Sequence, residues 1–193
     1  MKKARYIIIA ILFGLGLFTF FTDFIPQKAV FVLSLLGFGS LTFIPALLKN
    51  IFPSFILGKT RLVLAFLFQY SVLVFIALSL VLGSWFRFYE DFIWWDMFLH
   101  FLAGIIFAVP GYCLIYKGAE NVRNFMAFWV PLCVSLAISA LWEIYEFTGD
   151  ILFGMTMQGN GISDTMEDLI ACFVAAIVTS TALYFLSKKY NKN

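Results

Sequence analysis

The chain has 193 residues, of which 63% are apolar, 20% aromatic and only 12% charged, with a mean hydropathy of +0.97. A soluble domain carries about 25% charged residues, so an ordinary water-soluble globule is excluded and the chain belongs in lipid. The formal net charge of +2 excludes little until its placement is read, and no nucleic-acid partner is expected.

Six apolar runs follow one another, near residues 6–22, 29–48, 62–83, 94–116, 125–147 and 166–187. Each is long enough to cross about 30 Å of hydrocarbon as a helix. The expected fold is therefore all-α: a polytopic membrane protein whose six transmembrane helices form one bundle, with residues 1–193 as a single domain. The first run follows Lys2, Lys3 and Arg5. It lacks a small-x-small cleavage site and exceeds a usual secretory core, so it reads as a signal anchor. Pro110 and Pro131 fall inside the fourth and fifth runs, where neighbouring helices tolerate a kink. Cys113, Cys133 and Cys172 are odd in number and lie in apolar runs. They read as small buried hydrophobes rather than a disulfide framework.

Charge sets the orientation. Eleven of the thirteen Lys and Arg residues fall at the two termini and in the second and fourth loops. By the positive-inside rule both termini are then cytoplasmic. The same map puts ten of the eleven acids on the outer half, with Glu120 the exception. Acids contribute little to orientation, so their bias needs a separate cause. Trp85, Trp94, Trp95 and Trp142 fall at the outer boundary, where an aromatic belt accounts for them.

Three acidic stretches meet on that outer side. Asp96 and His100, the chain's one histidine, open the fourth run and share a helix face at i, i+4. Glu143, Glu146 and Asp150 follow i, i+3, i+7, a single stripe on one helix. Asp164 and Asp168 are again i, i+4, at the start of the sixth run. So many carboxylates cannot all ionise close together near lipid without strong repulsion and desolvation cost. Either some stay protonated or cations bind. Oxygen ligands suit Mg²⁺, Ca²⁺ or Mn²⁺, and one His extends the range to Zn²⁺ or Fe²⁺. The expected ligands are Asp96, His100, Glu143, Glu146, Asp164 and Asp168, with Glu146 or Asp150 as general base.

Local roles compete with this reading. Asp164-Thr165-Met166-Glu167 matches a capping box in which Asp164 is the N-cap. Asp150 is placed at or beyond a helix end. Glu167 points away from Asp168 and is either solvated or part of the cap. Gly104, two turns from Asp96, fits close helix packing. The uncharged loop Gly154 to Gly161 is either a lid over the site or a plain connector, and Met155 and Met157 are weak evidence for copper.

The segments Trp95-Asp96-Met97-Phe98-Leu99-His100-Phe101, Glu143-Ile144-Tyr145-Glu146-Phe147 and Asp164-Thr165-Met166-Glu167-Asp168-Leu169 resemble motifs of YjdF-type bacterial inner-membrane proteins. More distantly they are similar to the VanZ-like family, linked to glycopeptide-antibiotic tolerance. That family tends to carry a basic residue after the aspartate and Gln in a Glu-x-x-Gln position. Met97 and Glu146 stand there in this chain. The resemblance covers roughly residues 85–187 and implies a multi-pass protein of the bacterial inner membrane, without naming a reaction.

Three function classes stay open. One is a metal-dependent enzyme acting on a lipid head group or an envelope precursor. A second is a transporter whose carboxylates exchange protons or cations. A third is a structural or accessory membrane protein. Membrane lipids are partners in all three, a lipid-linked or small-molecule substrate belongs to the first, and the oligomeric state is left open.

Overall fold

The computed structural model describes residues 70–115 and 124–190, together with Gly14 and Phe68. Apart from Gly14 and Phe68, the first two expected spans and the N-terminal part of the third lie outside the described residues. Those described are helical, with no strand among them. Helix α1 is Tyr70–Trp85. A single turn α2, Phe88–Asp91, follows. Helices α3 (Trp95–Ile115), α4 (Asn124–Phe153) and α5 (Ile162–Tyr190) form a bundle in which each packs along the other two. All three of these are long and apolar enough to cross a membrane.

The long helices outrun the apolar segments that predicted them. The fifth run ends near 147 by hydropathy, yet α4 continues to Phe153. Nothing in Thr148-Gly149-Asp150-Ile151-Leu152-Phe153 forces a stop until Gly154 takes a left-handed backbone (φ 65°). Its N–H then bonds to the Asp150 carbonyl at 3.1 Å, a left-handed C-cap. With 30 residues, α4 is about 45 Å long. It therefore exceeds a hydrocarbon core of about 30 Å. Helix α5 begins at Ile162, four residues before the sixth run.

Small residues bring the three helices together. A Cβ on Gly104 of α3 would sit 2.5 Å from the Cys172 carbonyl oxygen and 2.7 Å from Ala175 Cβ. One on Gly111 would sit 2.7 Å from Pro131 Cα. Ala108, Ala127, Cys172, Ala175, Ala176 and Ser180 are fully buried at the same seams. Ser135 of α4 donates to the Gly104 carbonyl at 3.0 Å and lies 3.7 Å from Cys172 Sγ. Lipid tails are as apolar as Leu, so association inside a membrane relies on this close contact. Large side chains such as Leu141, Ile144, Phe147 and Ile170 face outward. Of the three cysteines, all free, only Cys172 is buried, and Cys133 is exposed, a correction to the expectation that all three are core.

Helix α1 leans on the bundle through Val72, Leu73, Ile76 and Leu80, which pack with Ile106 of α3 and Trp142 of α4. Its second half, Ala77–Trp85, is wound as a π-helix. A Cβ on Gly83 there would collide with the Tyr89 ring. The missing side chain lets α2 fold back until the Tyr89 hydroxyl lies 2.9 Å from Ser79 Oγ. Arg87 makes the reversal with a left-handed backbone (φ 61°). Its guanidinium bonds to Glu90 and holds that carboxyl below its usual range.

Gly104→Ala should destabilise the bundle by about 1–3 kcal/mol through overpacking against Cys172. Leu141→Ala, on the outward face, should change stability little. Denaturation in detergent measures both, and equal effects would contradict the small-residue seam.

Candidate functional site

The acidic stretches converge at the end of the bundle where α3 and α5 start and α4 finishes. Register explains how. Gly104, Cys172 and Ser135 mark one contact level. One turn above it, on the same helix faces, lie His100 on α3, Asp168 on α5 and Ser139 on α4. A further turn up lie Asp96, Asp164 and Glu143. The geometry follows this order. His100 Nε2 is 3.5 Å from Glu143 Oε1, 3.9 Å from Asp96 Oδ1 and 4.0 Å from Asp168 Oδ2. Ligand atoms of Asp96, His100 and Asp168 all lie within 4.8 Å of one another. Three helices thus bring three carboxylates within 4.0 Å of one imidazole.

These groups are deep and underbonded. His100 is 5% exposed, Glu143 5% and Asp168 2%. Among the described residues His100 Nδ1, Glu143 Oε1 and Asp168 Oδ2 have no hydrogen-bond partner. No described Lys or Arg pairs with any of the cluster's carboxylates, and Arg87 is engaged by Glu90. Burying unpaired charge costs several kcal/mol per ion, and each unmet buried polar atom costs about 1–3 kcal/mol. A divalent cation between the four side chains would offset both.

The remaining predicted residues divide. Glu146 is buried and accepts a hydrogen bond from Trp142 Nε1 at 2.8 Å. It lies within electrostatic range of Asp96, Glu143 and Asp168 but outside the tight ligand group. Asp164 is not the N-cap. It sits inside the first turn of α5, and its carboxylate reaches back to accept the Gly159 N–H at 2.9 Å. The capping box fails because the helix starts earlier than its apolar run. Asp150 lies on α4 rather than beyond it. Its two oxygens accept the Met157 and Gln158 N–H groups at 2.7 and 3.0 Å. Both aspartates hold the 154–161 loop by its backbone. Glu167 is exposed, as its spacing suggested.

The tryptophans also divide. Trp94 is exposed and suits an interface belt. Trp95 is buried, its ring 4.9 Å from Phe88 and 5.5 Å from Phe98. Trp142 bonds to Glu146. The belt assignment of Trp95 is therefore corrected, since apolarity alone does not say which side of a helix is covered.

Three residues near the cluster carry no sequence signal strong enough to single them out. Thr165 lies beside the Glu143 carboxylate. Gln158 Nε2 donates to Thr165 Oγ1 at 2.7 Å. Tyr89 turns its hydroxyl inward toward Ser79, within electrostatic range of Asp96, Glu146 and Asp168, and burial together with those carboxylates raises its phenol pKa. The capping-box spacing drew attention to Thr165 for another reason. A groove of about 370 Å³ lined by Phe125, Trp129, Tyr184 and other aromatic residues lies at the opposite end of the bundle. Its lining carries no carboxylate, imidazole, amine or guanidinium.

Asp150→Ala should free two loop N–H groups. Hydrogen bonds to a charged group contribute about 1.5–3 kcal/mol, so amide exchange at Met157 and Gln158 should accelerate about tenfold or more. Unchanged exchange there would remove the clamp.

No solved structure matches the chain. Over 112 residues it is 30% identical to an uncharacterized protein of Thermotoga maritima, covering 54% of this chain and 55% of that protein. The match thus spans about half the length of that relative. A family model described as "predicted membrane protein (DUF2238)" matches residues 6–189, which takes in all three helices of the site. The chain is a membrane protein of the DUF2238 family.

Proposed function

We propose that this protein binds a divalent cation through Asp96, His100, Glu143 and Asp168 and uses it as a membrane enzyme on a lipid head group or a lipid-linked envelope precursor. The observation that carries the reading is the placement of three carboxylate oxygens 3.5–4.0 Å from His100 Nε2, on three helices, with buried ligand atoms lacking partners. An ion about 2.1 Å from each of four tetrahedral ligands would hold them about 3.4 Å apart. The spacings from His100 Nε2, 3.5–4.0 Å, approach that value, and the ligand atoms of Asp96, His100 and Asp168 lie within 4.8 Å of one another. One imidazole with three carboxylates favours Zn²⁺, Mn²⁺ or Fe²⁺ over Ca²⁺, which takes six to eight oxygens. Asp164 and Glu146 lie just outside this set.

A bound cation would supply Lewis acidity and a water of lowered pKa. Glu146 is the better-placed general base, because one of its oxygens is free of the Trp142 bond, whereas both oxygens of Asp150 serve the loop. A cation or proton transporter is the second reading. The close packing of Gly104 on Cys172, one turn below His100, weighs against a path through these three helices. It fits a site open to one side only.

In this reading the chain spans the bacterial inner membrane six times with both termini inside, and the site faces outward. The Lys and Arg bias supports that orientation. The YjdF-type resemblance fits it.

Protein purified without chelator and loaded with Zn²⁺, Mn²⁺, Fe²⁺, Mg²⁺ or Ca²⁺ should hold about one ion per chain. Glu143→Gln and Asp96→Asn should each bind at least about tenfold more weakly. A wild-type protein that takes up none of these ions overturns the proposal. If an ion binds, lipid turnover against ion flux in proteoliposomes separates enzyme from carrier.

A further inference from the structure

We propose that the aromatic groove at the far end of the bundle holds one anionic phospholipid, with an acyl chain between its walls and the phosphate at Lys188. This site is independent of the cation cluster. Two helices build the walls: Phe125, Phe128 and Trp129 come from α4, and Thr181, Tyr184 and Phe185 from α5. The rings brace one another. Phe128 and Trp129 have centroids 5.1 Å apart, Phe125 and Trp129 5.9 Å, and Tyr184 and Phe185 5.3 Å. Phe125, Trp129 and Phe185 are exposed, so the groove opens away from the bundle. At about 370 Å³ it falls in the range of small-molecule sites, about 300–1,000 Å³.

The lining is uncharged, and charge begins one turn beyond it. Thr181, Tyr184 and Lys188 are spaced i, i+3, i+7, a single stripe on α5. Ser135 of α4 and Cys172 of α5 are in contact, and the two helices run in opposite directions. Eleven residues along each from that contact bring Asn124, the first residue of α4, level with Leu183. Lys188 lies five residues further out, about 7.5 Å, and is exposed. The first turn of α4 holds no acid, so the positive end of its dipole adds to the same field. The segments that adjoin this end in sequence, 117–123 and 188–193, carry Lys117, Arg123, Lys188, Lys189 and Lys192 against Glu120. An apolar slot that leads to positive charge suits an amphiphile with an apolar tail and an anionic head. In the orientation proposed above this end meets the cytoplasmic leaflet, where anionic lipids attract Lys and Arg. The chain's own apolar runs 6–22 and 29–48 suit the slot less well. Their flanks predicted for this side carry Lys2, Lys3, Arg5 and Lys49, the same sign as Lys188, and a second copy would bring the same lysines.

The test is fluorescence quenching of the full chain in phosphatidylcholine vesicles that contain a rising fraction of phosphatidylglycerol or phosphatidylcholine with brominated chains. Of the five tryptophans, Trp129 alone lies at this end, so the difference between wild type and Trp129→Phe isolates its signal. Half-quenching should need about tenfold less brominated phosphatidylglycerol than brominated phosphatidylcholine. Lys188→Gln should reduce that preference about fivefold, and Lys188→Arg should keep it. Arg87→Gln, which removes the same charge at the other end, should leave it unchanged. Thr181→Phe, which fills the slot, should lose the preference with Lys188 intact. Equal quenching by the two lipids in the wild type means ordinary surrounding lipid and overturns the proposal. Quenching by neither means that protein covers the groove, from this chain or a second copy, and overturns it too. Full preference in Lys188→Gln or Thr181→Phe, or an equal loss in Lys188→Arg or Arg87→Gln, removes the lysine or the groove from the account and the proposal with it.

Discussion

Everything at the site follows from the close approach of three backbones at Gly104, Cys172 and Ser135. Inside a bilayer there is no hydrophobic gain from bringing one apolar helix to another. What holds these helices is contact at short range, available where side chains are small, and a hydroxyl bonded to a carbonyl across the seam. That contact fixes the vertical register of α3, α4 and α5 against one another. Once register is fixed, helical periodicity decides which residues face the axis one and two turns higher. His100, Asp168, Asp96 and Glu143 are those residues. The cluster needs no separate folding instruction beyond the spacing of its members from the small-residue level.

The cluster in turn places a demand on the rest of the molecule. Three carboxylates and an imidazole share a largely buried volume, Asp96 being the most exposed of them, with no described Lys or Arg beside them. The packing that draws them together works against their electrostatics. Proteins tolerate such opposition where a ligand relieves it or where function requires it. The residues around the cluster are arranged consistently with this. Trp142 gives a hydrogen bond to one carboxylate, Gly83 makes room for Tyr89, and the loop aspartates are turned away to bond with main-chain N–H groups.

Much of this was legible in the sequence because charge inside an apolar run is conspicuous. The i, i+4 pair Asp96 and His100 and the i, i+3 pair Glu143 and Glu146 could be assigned to shared helix faces, and the structure places them together. Other features were hidden for identifiable reasons. Hydropathy marks where a helix meets lipid, not where it ends, so α4 and α5 ran beyond their apolar segments and carried Asp150 and Asp164 inside helices. Apolarity does not separate lipid-facing from protein-facing positions, so Trp95 passed for an interface residue although it is core. Polar side chains of ordinary type, such as Thr165 and Gln158, gain meaning only when a partner from another segment is known. The π-winding of Ala77–Trp85 left no mark in residue types apart from Gly83.

Helix α4 carries a further consequence. It is longer than a typical bilayer is thick, and its excess lies at the end that holds Glu143 and Glu146. Long apolar helices meet such mismatch by tilting or by locally thickening the bilayer. Three helices locked in register respond as one rigid body. The depth of His100 beneath the head groups is then a joint property of this chain and its host lipid. Acyl-chain length, a variable cells adjust with temperature and growth state, becomes a control on how wet this cluster is.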